Sequence, residues 1–160
     1  MKLINNVLTK EEFLKIEDTF TSVFFPWFIT KGILVGQKNY QFTHAFYQNL
    51  SISSSLFGVI EPIIKILNPS AIIKIKANLL TKAEKIIEHG MHTDVEIENS
   101  KTAVYYVNTN NGYTKFKNGK KINSQANTLV IFNSNIEHTG TTCTDEDYRI
   151  VLNFNYYEWN

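Results

Sequence analysis

TAVYYVNTNNGYTKFKNGKKINSQANTLVIFN, residues 102–133, is the stretch whose reading decides the fold. It holds four short runs rich in strand-forming residues: Thr102–Asn108, Gly112–Phe116, Lys120–Gln125 and Thr128–Asn133. Asn110-Asn111-Gly112 and Lys117-Asn118-Gly119-Lys120 separate them. Asparagine and glycine accept the positive φ angles of tight hairpin turns, so both segments are turn signals. Strands this short and this closely spaced leave no room for helical crossovers, which parallel pairing requires. The stretch therefore predicts antiparallel strands in a sandwich or barrel.

The same period extends in both directions. Ile73, Ile75 and Leu79 interleave with Lys74, Lys76 and Asn78, the pattern of a half-buried strand. Further strands are predicted at about 92–98, His138–Thr142 and Tyr148–Glu158. Upstream the spacing turns helical. Thr9-Lys10-Glu11-Glu12 reads as a cap and an acidic first turn, with Phe13, Leu14, Ile16 and Phe20 at helical intervals, giving a helix over about 9–21. A second helix is predicted from Ser53-Ser54-Ser55 to Leu67, stopped by Asn68-Pro69 and kinked or broken at Pro62. Between them, Phe24-Phe25-Pro26-Trp27-Phe28 is extended, because proline disfavours helix in the residue before it. It reads first as a core-packing edge, and secondly as a wall of a substrate entrance. The expectation is one domain over residues 1–160, mainly β with N-terminal helices. A helical part spans about 1–69, and a double-stranded β-helix (jelly-roll) core spans about 70–158.

Composition removes several classes of function. With 16 basic and 15 acidic residues the formal charge is +1, which gives no general pull toward nucleic acid or anionic membrane. Lys115, Lys117, Lys120 and Lys121 form a local basic run that reads as a solvated hairpin. One cysteine, Cys143, excludes an internal disulfide and a multi-cysteine zinc site. Residues 1–20 carry charges throughout and lack the apolar centre of a secretory signal, and no apolar run is long enough to span a bilayer, so the cytoplasm is the expected location. The basic residues are fifteen lysines and a single arginine, Arg149.

His92-Thr93-Asp94 places an imidazole and a carboxylate two residues apart, and on a strand such residues share a face. His138 follows the apolar run Leu129-Val130-Ile131-Phe132 and offers a third ligand. Two histidines and one carboxylate on one face of a metal leave three positions open, the arrangement suited to non-haem Fe(II). Arg149 stands 11 residues beyond His138 and leads into Ile150-Val151-Leu152. A guanidinium grips a carboxylate with two parallel hydrogen bonds, so Arg149 is a candidate anchor for an acid. The plainer readings are a surface His92 beside a capping Asp94, and an Arg149 ion pair with Asp145, Glu146 or Asp147. His89 reads as a loop histidine, and residues 84–88 as part of a mobile loop.

Taken together, His92-x-Asp94, His138 and Arg149 resemble the signature of the 2-oxoglutarate- and Fe(II)-dependent dioxygenases, particularly small bacterial and bacteriophage members of the prolyl 4-hydroxylase-like branch. The resemblance covers about residues 70–158. Val104-Tyr105-Tyr106-Val107-Asn108 is similar to that branch's strand after the first two ligands. Gly112-Tyr113-Thr114-Lys115-Phe116 resembles its Gly-x-Thr-x-Phe segment, with Asn111 replacing a preceding glycine. Residues 127–132 resemble the strand leading to the distal histidine, and residues 6–12 the approach to the first helix.

The resemblance implies that His92, Asp94 and His138 bind Fe(II). It also implies that 2-oxoglutarate docks its distal carboxylate on Arg149 and Tyr106, with dioxygen as the other co-substrate. Asn78 stands where many members carry a tyrosine, and it is a candidate for binding the co-substrate. Asn153, on the same strand face as Arg149, is another. Asn155 replaces a tryptophan found in some relatives. The implied activity is hydroxylation of a peptidyl proline, another protein side chain or a small molecule, releasing succinate and CO2. The alternatives are a non-catalytic jelly-roll binding or virion-associated module, and a zinc hydrolase. The lid over such a site falls at residues 24–30 or in the 81–91 loop.

Overall fold

Alternation along the strands divides this molecule into a helix-covered side and a cavity side. The computed structural model describes residues 1–31 and 40–159. Chain order runs β1 (Lys2–Asn5), α1 (Lys10–Thr21), β2 (Phe28–Lys31), β3 (Tyr40–Gln48), β4 (Ser51–Ile52), α2 (Phe57–Leu67) and β5 (Ala71–Thr81). It continues through β6 (Ser100–Tyr106), β7 (Tyr113–Phe116), β8 (Lys121–Asn123), β9 (Thr128–Asn133), β10 (His138–Gly140) and β11 (Tyr148–Tyr157). The larger sheet has the order β1-β9-β6-β11-β5-β3-β2, with β4 on β3, and the smaller is β10-β7-β8. All described pairings are antiparallel. The architecture is the expected jelly roll.

One face of the larger sheet packs on the helices. Ile75 and Ala77 of β5, Tyr105 of β6, and Ile150, Leu152 and Phe154 of β11 join Ile16 and Phe20 of α1 and Ile60 and Ile63 of α2 in one buried cluster. A second, smaller cluster lies on the opposite face and includes Val104, Val151, Phe116 and Phe132. Helix α1 begins where the sequence places it: Thr9 accepts from the Glu12 backbone, and Glu12 reaches back to the Thr9 N–H.

Three expectations need correction. Residues 1–69 are not a helical half, because they also supply β1 to β4. In β3 the alternation is blurred by a bulge between Ala45 and Tyr47, which breaks the two-residue period that would have revealed it. Helix α2 starts at Phe57 rather than Ser53, since the Ser53 N–H bonds to Phe46 O and Ser54 Oγ holds His44 Nε2. It also continues through Pro62, whose missing donor removes one hydrogen bond while Ile60, Ile63 and Leu67 remain buried. Finally, residues 92–98 are not a strand. His92 makes one isolated antiparallel bridge to His138, and the chain then bends at Asp94. The alternating Val95-Glu96-Ile97-Glu98 mimics a strand, yet no described strand pairs with it.

Candidate metal centre

His92 and His138 face each other across that isolated bridge, each backbone N–H donating to the other's carbonyl at 3.0 Å. The pairing sets the two rings 5.0 Å apart, and the bend carries Asp94 between them. The Asp94 oxygens lie 3.8 Å from His92 Nε2 and 3.8 Å from His138 Nε2, and a ligand atom from each residue lies within 4.8 Å of the others. Each ring is oriented through its other nitrogen: Nδ1–H of His92 donates to Gly90 O at 3.0 Å and that of His138 to Ile136 O at 3.1 Å. Those bonds select the tautomer whose Nε2 lone pair points at the cluster, the usual arrangement behind a metal-bound imidazole. Burial lowers the His138 pKa despite the neighbouring Asp94, favouring the neutral, ligating form. Asp94 Oδ2 is buried without a hydrogen-bond partner, as fits an oxygen reserved for a cation. The donor set fits Fe(II).

Arg149 lies in the same cavity and is 3% exposed. Its Nε donates to Ser124 Oγ at 2.7 Å and its Nη2 to Thr114 Oγ1 at 3.3 Å. No carboxylate among the described residues pairs with it, so the surface ion pair with residues 145–147 is not formed; Asp145 instead accepts the Asn111 N–H. Burial pushes the guanidinium pKa down, the physical sign of an unmatched cation. Tyr106 lies beside the guanidinium. Its ring lies 5.7 Å from the guanidinium carbon, and its hydroxyl donates to Thr114 Oγ1 at 2.9 Å. Having accepted from both Tyr106 and Arg149, the Thr114 hydroxyl keeps its own hydrogen to donate into the cavity it lines. A Cβ on Gly112 would come within 2.7 Å of Arg149 Cδ, so glycine gives the arginine stem its room.

The cavity encloses about 230 Å³, and Asn78 and Asn153 line it along with His92, Asp94 and His138. Sequence reasoning missed Gln41, Lys76 and Thr114, which also line the cavity, and Ser124, which holds Arg149 Nε. His89 is a loop residue as read, and it also lines the cavity, buried. The loop before it is not loose: Glu88 accepts from Tyr113 Oη and Lys115 Nζ, both at 2.7 Å, and Ile87 N–H donates to Thr142 Oγ1. None of residues 24–30 lines the cavity; Phe25 and Trp27 pack around Phe20 instead. The basic run is a hairpin in which Lys115 and Lys121 pair with Glu88 and Lys117 with Glu137.

No protein-family model and no curated protein matches the sequence. Solved structures do match. A 2OG-Fe(II) oxygenase-family oxidoreductase from Burkholderia pseudomallei aligns at a TM-score of 0.70 with 13% identity, over 99% of this chain and 85% of its own. The fold is that of the 2-oxoglutarate/Fe(II) oxygenases. A prolyl hydroxylase from Trichoplax adhaerens, solved with a hypoxia inducible factor peptide fragment, aligns at 0.67 with 13% identity over 98% and 83% of the two chains. A Streptomyces hygroscopicus protein with nickel and 2-oxoglutarate bound aligns at 0.59 with 11% identity over 99% and 84%. Among the described residues no helix is long and apolar enough to cross a membrane.

Proposed function

We propose that this chain is an Fe(II)- and 2-oxoglutarate-dependent oxygenase that hydroxylates its substrate and releases succinate and CO2. One observation carries the reading: a buried arginine without a counter-anion shares a cavity with a two-histidine, one-carboxylate cluster. A metal alone would not call for Arg149, and an acid alone would not call for the triad. A zinc hydrolase would give the arginine no task.

Bound Fe(II) with 2-oxoglutarate supplies the oxidising power, and the protein's residues supply position and shielding. His92, Asp94 and His138 would hold the metal. Arg149 and Thr114 receive the distal carboxylate, with Ser124 and Tyr106 fixing the donors that meet it. Asn78 and Asn153 each carry a buried Oδ1 without a partner and line the same space, where substrate N–H or O–H groups would satisfy them. Val104, Val151 and Leu80 complete an apolar wall that keeps water from the oxidant. The likeness to a peptide-bound prolyl hydroxylase supports a protein side chain as substrate, and the wider fold group supports small molecules equally.

Anaerobic titration with Fe(II) and 2-oxoglutarate, followed by succinate release on admitting oxygen, tests the proposal. Asp94→Ala is expected to abolish turnover while leaving circular dichroism and melting close to wild type. Full turnover in that variant would overturn the assignment, and a wild type that binds neither metal nor 2-oxoglutarate would favour a non-catalytic jelly-roll module.

A further inference from the structure

Side chains on the cavity face of β5 run Lys76, Asn78, Leu80, and β11 sets Asn153 directly opposite Lys76. Lys76 is partly buried and lines the cavity, and its ammonium makes no hydrogen bond or ion pair among the described residues. Lys74 follows two residues away on the same face, opposite Asn155, so the strand carries positive charge outward from the metal cluster. Asp94 is the only acid among the described cavity-lining residues. A divalent metal and Arg149 together cancel Asp94 and the two carboxylates of 2-oxoglutarate. Lys76 is then the one charge left over in a space where an unmatched cation is costly. The unsatisfied amide oxygens of Asn78 and Asn153 in the same wall are acceptors, which call for a substrate N–H or O–H group in this region.

We propose that Lys76 receives a carboxylate of the primary substrate, so that the chain selects acids over their neutral analogues. This rests on the oxygenase reading above. Both carboxylates of 2-oxoglutarate already have partners in that reading, at the metal and at Arg149, which leaves Lys76 to the substrate. A carboxylate there is held by the ammonium, with the amide groups of Asn78 and Asn153 within the same wall.

The experiment uses the full chain loaded with nickel(II), an inert stand-in for iron, and saturating 2-oxoglutarate. Acetate and acetamide serve as a charged and a neutral probe of similar shape, followed by ligand-observed NMR. Acetate is expected to bind saturably and acetamide not to. K76M and K76Q are expected to weaken acetate binding at least tenfold while leaving 2-oxoglutarate affinity within twofold. Melting curves confirm that both variants are folded, and K121M, altered on the outer hairpin, is expected to bind acetate like wild type. Absence of saturable acetate binding, or equal binding in K76M and wild type, overturns the inference. A tenfold loss of 2-oxoglutarate affinity in K76M also overturns it, by assigning the lysine to the co-substrate. If wild type fails to bind nickel and 2-oxoglutarate at all, it is the oxygenase reading that falls, and the inference with it.

Discussion

Arg149 depends on geometry as well as charge. Its Nε is committed to Ser124 and its Nη2 to Thr114, so a lysine would bring the charge without the fork. Arg149→Lys is expected to weaken 2-oxoglutarate binding at least tenfold while Fe(II) affinity stays within about twofold, read by separate titrations of metal and co-substrate. Thr114→Val removes the acceptor shared by Tyr106 and Arg149, and a loss of similar direction follows in the same titration. At this scale the sequence showed the residues whose chemical type is rare or paired: His92, Asp94, His138 and the lone arginine. Ser124 and Thr114 were hidden because hydroxyl residues are common in turns and strands, and nothing local marks one that serves a distant guanidinium. Lys76 was hidden for another reason. Alternation separates two faces of a strand, but cannot say whether the polar face meets water or a cavity.

Among the elements, the loop between β6 and β7 carries the tightest constraint. A methyl group on Gly112 would lie 2.7 Å from Arg149 Cδ and 2.8 Å from both Asn110 Oδ1 and Thr142 O. Gly112→Ala is expected to cost about 2 kcal/mol in urea denaturation and to lower 2-oxoglutarate affinity, because the arginine stem must move. The approach to α1 is fixed from far along the chain: Asn127 accepts the Leu8 N–H at 3.0 Å and donates to Leu8 O at 2.9 Å, both buried. Asn127→Ala leaves both groups unpaired and should destabilise by roughly 2–3 kcal/mol by the same measurement. Helix α1 and strand β9 were legible because cap, period and boundary agreed locally: β9 spans Thr128–Asn133 as read. Strand β3 was masked by its bulge. The supposed strand at 92–98 failed because pairing depends on a free neighbouring edge, which no local pattern records.

For the molecule as a whole, function and stability pull against each other at Lys76. Burial lowers its pKa, with Asp94 raising it and Lys74 lowering it in smaller measure. The folded state therefore binds fewer protons than the unfolded state between that lowered value and the ordinary lysine range, so stability should rise with pH across that window. K76M should be more stable than wild type by about 1 kcal/mol at neutral pH, with the gap narrowing toward pH ~10, measured by urea denaturation of metal-free protein. The sheet order adds a consequence in the dimension of time. β11 lies between β5 and β6, yet it is the last described strand to be made, and His92, Asp94 and His138 all precede it. A growing chain thus completes the candidate metal-site residues before Arg149 is made. Meanwhile β5 and β6 wait with bare edges for a strand that has not yet been synthesised. A ribosome stalled short of residue 148 would leave that gap open, and there the nascent protein most needs protection from pairing with a neighbour.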